Sequence, residues 1–509
     1  MASTYIAERD ICNDEPGYIE YAKRWMHGHA ERVEALDDSK TPIVAIAWLP
    51  RIFEQVKNKQ VKYNDWGRSD QEAGRYLMIL FTMVTAIYIF FWSRKLLGER
   101  WCLLPVALFL FDPLVLAHSG IIGSDMASAA VCTAAFFHLW QYLLYNKQKD
   151  ILLLSLLMGI ACITKQNLIL LLFIMPLIGF CNHLLQHGTT TFFSKKNILT
   201  ACFSALIVWL VINASFYFQG SFDSLSSYHF ASSTFINLQQ DATFFSGMPL
   251  LLPEPFIKGF DMIQYHAQIG GGQPLSTYNG VFVWGQENMH HGFWYYYFAV
   301  GILKMQLPII LISLEGFIKL MHHVFFKRSW LKLELIILLL PILIFGTVLS
   351  FFNPFQIGIR HIIFLLPCLY ILIGMFIKHL SISKNKKITL LSVLAIWQFV
   401  SIAAFYNNYM AYTNELALNK TNILRWISDS SIDYGQNNSF IQKYIQQHED
   451  FRAADAVPSK GKFAVRALNV LHVNKAEPDK FGWLRNYQPY GNYKGTIWLY
   501  DIKELTNKQ

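Results

Sequence analysis

Apolar residues fall along this chain in long unbroken runs, not in the one-face stripe of a soluble helix or the alternation of a half-buried strand. Ten runs reach, or nearly reach, the ~20 residues that a helix needs to cross ~30 Å of hydrocarbon. They cover residues 76–93, 102–118, 125–145, 150–164, 167–186, 198–218, 293–317, 332–352, 361–380 and 387–406. Only Thr164-Lys165-Gln166 separates the fourth from the fifth, which predicts a tight hairpin turning at one membrane face. The polar remainder divides the chain into a first loop, 1–75, a membrane region, 76–406, that includes a long polar loop at 219–292, and a C-terminal part, 407–509. Runs such as Lys462-Phe463-Ala464-Val465 and Thr496–Asp501 predict strands in that last part. The expected fold is a polytopic α-helical membrane protein of about ten transmembrane helices with a small mixed α/β C-terminal domain.

Composition agrees with this pattern. Of 509 residues, 53% are hydrophobic and only 15% charged, well below the usual quarter. The net charge of +9 would suggest nucleic acid in a soluble protein. Here the cations gather in alternate short loops: Arg94/Lys95/Arg100, Lys147/Lys149, Lys195/Lys196, Lys319/Lys327/Arg328/Lys332 and Lys378/Lys384/Lys386/Lys387. Those loops are assigned to the cytoplasm by the positive-inside rule, and nucleic acid is not an expected partner. Counting through ten helices then places 1–75, 219–292 and 407–509 together on the outer side. The polar first 75 residues have no exporting segment ahead of them, which predicts an apolar span encoded upstream of Met1. Six of the seven cysteines lie in or beside apolar runs and Cys12 has no polar-region partner, so no disulfide framework is expected. No Cys/His spacing suits zinc, and no glycine run has nucleotide-binding spacing.

The chemistry-bearing residues lie in the outer segments. Asp14 and Glu15 precede Pro16, a residue suited to a first helical turn. Asp14 can therefore serve as a simple helix cap, or the two carboxylates can divide labour, one accepting a proton and the other orienting a cation. Asp125 opens an otherwise apolar helix, either as a dipole partner or as a second site carboxylate. Lys165 and Arg360 are rare cations on the outer side, costly at membrane depth unless they snorkel or bind an anion. The Arg360 fork suits a phosphate. Lys304 lies below the aromatic Trp294–Tyr297 belt, whose rings are ordinary interfacial anchors. Glu254, in Leu252-Pro253-Glu254-Pro255, and the Gly270-Gly271-Gly272 run suit a mobile acceptor loop or plain turns. Asp429 and Asp433, four apart, suit a capped helix start or an acceptor site.

The order of motifs resembles the dolichyl- and polyprenyl-phosphate-dependent sugar transferases of the C-type glycosyltransferase superfamily, which include protein O-mannosyltransferases and aminoarabinose transferases. The matching runs are Asn13-Asp14-Glu15-Pro16, Ser39-Lys40-Thr41-Pro42, Gly123-Ser124-Asp125 and Ile163-Thr164-Lys165-Gln166. They continue with Asn279-Gly280-Val281 and His291–Phe298, then Lys304-Met305-Gln306-Leu307-Pro308, similar to a family K-T-P-L-P run. Gly358-Ile359-Arg360-His361 with Leu365-Leu366-Pro367 is similar to G-x-R-Y-x-L-P, and Asp429–Gln436 to D-S-N-L-D-W-G-Q. The chain departs from the family at Lys-Thr-Pro in place of K-P-P, and in lacking a span before the Asp-Glu loop.

The resemblance implies a glycosyltransferase that moves a monosaccharide from a polyprenyl- or dolichyl-phosphate carrier to a protein or glycolipid acceptor, with inversion. It makes Asp14, with Glu15 beside it, the catalytic carboxylate and Asp125 a second one, and it gives Lys40, Lys165, Arg360 and Lys304 to the donor phosphate. Phosphate is already a competent leaving group, so no cofactor and no metal are expected, although another branch of the superfamily uses a divalent metal. The nearest motifs are bacterial, which implies an inner membrane with a periplasmic site; the alternative is the endoplasmic reticulum and its lumen, where Asn419-Lys420-Thr421 and Asn437-Asn438-Ser439 would be glycosylation sequons. Two other classes compete: a transporter or flippase of lipid-linked sugar, which repeated halves would favour, and a non-catalytic assembly protein with the same fold.

Overall fold

A computed structural model describes residues 1–33, 40–50, 68–187, 194–241, 247–270, 280–326, 332–380, 382–475 and 477–505. Ser39, Gly271, Gly272, Asn279, Lys327 and Arg328 of the sequence reading lie outside these residues.

Seven of the ten apolar runs form single helices long and apolar enough to cross a membrane: Glu72–Leu97, Asp125–Tyr145, Gln166–Gln186, Lys195–Ser215, Leu333–Phe351, Ile359–His379 and Lys384–Ala403. The other three differ from that reading for local reasons. The 102–118 run breaks into Leu103–Leu110 and Pro113–His118. At the break the Asp112 carboxylate accepts from the Leu114 and Val115 amides at 2.6 and 3.3 Å, and Pro113 takes the first helical position. The 150–164 run becomes a 15-residue helix, Gln148–Cys162, short of a full span. The 293–317 run divides into Tyr296–Lys304 and Leu307–Phe326, with Pro308 near the start of the second.

Asp125–Tyr145 lies at the centre of the bundle, buried on nearly every side. Its small residues Ala127, Ser128, Ala130, Ala134 and Ala135 let neighbouring helices approach. The next helix uses Gly159 in the same way: a Cβ there would stand 2.7 Å from Val211 of Lys195–Ser215. The C-terminal part contains a four-stranded sheet in the order Phe451–Ala453, Gly461–Arg466, Ile497–Ile502, Gly491–Tyr493, parallel for the first pair and antiparallel for the rest. Phe463, Val465, Trp498 and Tyr500 bury one face of it.

The first segment is tied to the loop between the bundle and this sheet. The Asp10 amide donates to Gln436 O and the Asn13 amide to Tyr434 O, both at 2.9 Å. Gly435 makes that approach possible: its φ is +86°, and a Cβ would lie 2.3 Å from Asn13 Oδ1. Residues 420 positions apart, Asp14 and Tyr434, are thereby brought into contact.

Candidate functional site

Asp14 immediately precedes the helix Glu15–Met26, but its side chain makes no capping hydrogen bond. Instead Oδ2 accepts from Arg360 Nη1 and Nη2 at 3.1 and 3.2 Å and from the Tyr434 hydroxyl. Arg360 also donates to the Tyr434 oxygen and lies over its ring, 4.4 Å from the centroid. All three contacts fall on one oxygen. Among the described residues Oδ1 has no hydrogen-bond donor, and the side chain remains 34% exposed. One face of the carboxylate is therefore fixed and the other open.

Glu15 is built differently. It is 1% exposed, and it accepts from Arg75 Nε and Nη2 at 2.9 and 2.6 Å and from Arg9 at 3.3 Å. The Cys12 and Ile122 amides donate to it at 2.8 and 3.0 Å. This carboxylate pins the first segment to the membrane helices, and the segment in turn holds Asp14.

Arg360 is the second residue of a 3₁₀ turn, Ile359–Leu365, that follows Gly358, whose φ is +124°. The Gly358 amide donates to Tyr296 Oη at 2.6 Å, Tyr296 donates to Asp429, and the Ile359 amide donates to Ser431 Oγ at 3.0 Å. Asp429 thus anchors the loop that presents Arg360. Asp433 accepts two 2.8 Å bonds from Arg466 and so ties the 429–436 segment, which carries Asp429, to the sheet.

Asp125 sits at the start of the central helix, 2.7 Å from Lys165 Nζ and 3.7 Å from His118 Nδ1. It lies within the fields of Arg360 and His361 as well. Lys40 is buried, its ammonium 4.5 Å from the centre of the Tyr18 ring. Gly17 admits it, since a Cβ there would lie 3.0 Å from Lys40 Cε. Tyr18 feels the charges of Lys40, Asp14, Asp125 and Arg360 together, so the first segment and the starts of two membrane helices share one electrostatic site.

Burial pushes the Asp14 carboxyl upward, but Arg360, Lys40 and the Tyr434 hydrogen bond outweigh it and hold the group below its ordinary value. Asp14 is thus ionised throughout the neutral range. Burial and the Asp14 charge push the Tyr434 phenol well above its ordinary value, against the opposing pull of Arg360, so it stays a neutral donor. Removing the hydroxyl in Tyr434→Phe takes away one contact that favours the carboxylate. The acid limb of a pH–activity profile should then move to higher pH, which a titration of turnover against pH would show.

The remaining candidates lie apart from this cluster. Lys304 is buried and donates to the Met410 and Tyr412 carbonyls at 2.7 and 2.6 Å, joining its helix to the start of the C-terminal part. Glu254 opens the helix Glu254–Ile269 in the long polar segment 219–292, paired along that helix with Lys258 at 2.7 Å. Among the described residues no group of three or more His, Cys, Asp or Glu is placed to hold a metal. The sequence reading gave no role to Tyr434, Arg75, Arg9, His118 or Tyr18. Tyr434 lies inside a quoted run, at the position of the family's tryptophan. Arg75, a cation close to the start of the first span, carried a signal too, because such a charge needs a partner.

Residues 46–216 match the family model described as dolichyl-phosphate-mannose-protein mannosyltransferase. No curated protein matches the chain. Among solved structures, it is similar to the crystal structure of ArnT from Cupriavidus metallidurans bound to undecaprenyl phosphate, at 13% identity and a TM-score of 0.47, over 83% of this chain and 70% of that one. The apo structure of the same protein gives 13% identity and a TM-score of 0.49, over 83% and 67%.

Proposed function

We propose that this chain, whose residues 46–216 match the dolichyl-phosphate-mannose-protein mannosyltransferase family model, moves a sugar from a polyprenyl-phosphate carrier to an acceptor hydroxyl or amine at the outer membrane face. The observation that carries this reading is the Asp14 carboxylate, ionised, oriented by Arg360 and Tyr434 through one oxygen and open at the other. A base must reach the proton it removes and must be unprotonated at working pH; the lowered pKa of Asp14 supports the second condition, and its 34% exposed side chain leaves room for the first.

Arg360, Lys165 and Lys40 supply positive charge around it. A carrier lipid keeps its tail in the bilayer and presents its phosphodiester at this depth, where these cations can hold it and stabilise charge on the departing lipid phosphate. Asp14 takes the acceptor proton, the acceptor oxygen or nitrogen bonds to the anomeric carbon, and the bond from that carbon to the phosphate oxygen breaks. Attack from the face opposite the phosphate inverts the anomeric configuration. Asp125, paired with Lys165, sets the position of that lysine. Whether the acceptor is protein or glycolipid is read out by supplying each to purified protein with a radiolabelled polyprenyl-phosphate sugar.

Lys40→Ala should weaken carrier-lipid affinity as well as turnover, because a charged phosphate contact acts in the ground state too, by roughly 1.5–3 kcal/mol per bond. Carrier-lipid binding to the purified variant is the measurement; unchanged affinity with reduced turnover would remove Lys40 from the phosphate site. The outer placement of the site rests on loop charge. Reporter fusions after residues 325 and 450 should report cytoplasm and outer side respectively, and the reverse would put Asp14 on the wrong face for a carrier-lipid donor.

A further inference from the structure

Beneath the break between Tyr296–Lys304 and Leu307–Phe326 lies a cavity of about 80 Å³, walled by Leu108, Ile309, Ile373, Ile377 and Leu394 and bordered by the exposed Ala395. It is separate from the Asp14 cluster, and its walls come from four helices of the membrane bundle. Into it projects the Gln306 amide, which is fully buried. Neither Gln306 Oε1 nor Nε2 has a hydrogen-bond partner among the described residues. Gln398 lines the same cavity and donates to Leu108 O at 3.4 Å. A buried amide without partners is costly, and an apolar residue of the same shape would avoid the cost.

We infer that this cavity is a binding site for a long-chain lipid alcohol entering from the bilayer, its hydroxyl held by Gln306. The chemistry follows from the two unpaired atoms. A hydroxyl both donates and accepts, so one such group can bond Oε1 and Nε2 together, whereas an ester or ether oxygen satisfies Nε2 alone. At about 80 Å³ the cavity takes the hydroxyl end and the first few carbons of an alkyl or isoprenoid chain, and the edge at Ala395 lets the rest run out into lipid.

The test uses the full-length purified protein in detergent, with dodecanol, its methyl ether and dodecane as probes and the shift in thermal midpoint as the readout. Dodecanol should stabilise the wild type more than the ether or the alkane, and Gln306→Leu should bind it about tenfold more weakly while binding dodecane at least as well. Gln306→Met, unbranched and of similar length, serves the same comparison should the leucine variant fail to fold. Equal responses to all three probes, as a cavity filled by water alone would give, would overturn the inference, as would undiminished dodecanol binding by the variants. Farnesol and a diacylglycerol then distinguish an isoprenoid from a glycerolipid source. Displacement of dodecanol by either supports the site, and displacement by neither removes lipid alcohols as its ligand.

Discussion

Asp14→Asn should cut sugar transfer by ~10²–10⁴-fold while leaving the protein folded and still able to bind carrier lipid. The substitution keeps the size of the side chain and lets its oxygen go on accepting from Arg360 and Tyr434. What it removes is the open, ionised oxygen that would take the acceptor proton. The effect should fall on turnover far more than on donor affinity, because the proton moves only as the sugar is transferred. Turnover and carrier-lipid binding measured on one preparation separate the two. Near-normal transfer by the variant would take the base away from Asp14 and leave Asp125 as the carboxylate to test.

Glu15→Ala, one residue along, should fail for a different reason. Its carboxylate is the only acidic partner that the described residues give Arg75 and Arg9, both buried. Deleting one member of such a buried charge cluster costs ~3–5 kcal/mol, since the remaining charges stay buried without compensation. That is a large part of the stability of most folded proteins. The variant should show a strongly lowered thermal midpoint and poor recovery from membranes, with activity lost in proportion. Full stability with lost turnover would instead make Glu15 a participant in the chemistry. Acid should act in the same direction as the mutation. Burial raises the Glu15 pKa, but Arg9 and Arg75 together with the Ile122 amide lower it more, so its folded value lies under its ordinary one. Its stabilisation is complete above the unfolded pKa of about 4.3 and is lost as the pH falls through the folded value.

The contrast between these neighbours shows what a linear sequence carries. Asp14-Glu15-Pro16 announces an acidic helix start, but the cations that divide the roles are remote in sequence, Arg75 at 60 positions from Glu15 and Arg360 at 346 from Asp14. No local pattern says which carboxylate meets which. Asp429 and Asp433 were similarly ambiguous four residues apart, and tertiary partners give them their work: Tyr296 for the first and Arg466 for the second. The resemblance gave Lys304 to the donor phosphate, and the carbonyls that hold it, Met410 and Tyr412, lie more than a hundred residues on, where no local pattern points to them. Membrane helices were far more legible, because a continuous apolar run is a local signal. The runs that divide do so at Asp112-Pro113 and before Pro308, where capping and proline chemistry were already in the sequence but were outweighed by the apolar count.

The most direct test of the central claim supplies purified wild-type protein in liposomes with a polyprenyl phosphate carrying a radiolabelled sugar, together with protein and glycolipid acceptors. The label should leave the carrier and appear covalently on an acceptor, with free polyprenyl phosphate formed in equal amount. Label that crosses the bilayer still attached to its carrier, or that never leaves it while the protein is folded and donor is bound, would contradict a transferase and favour a carrier-lipid transporter.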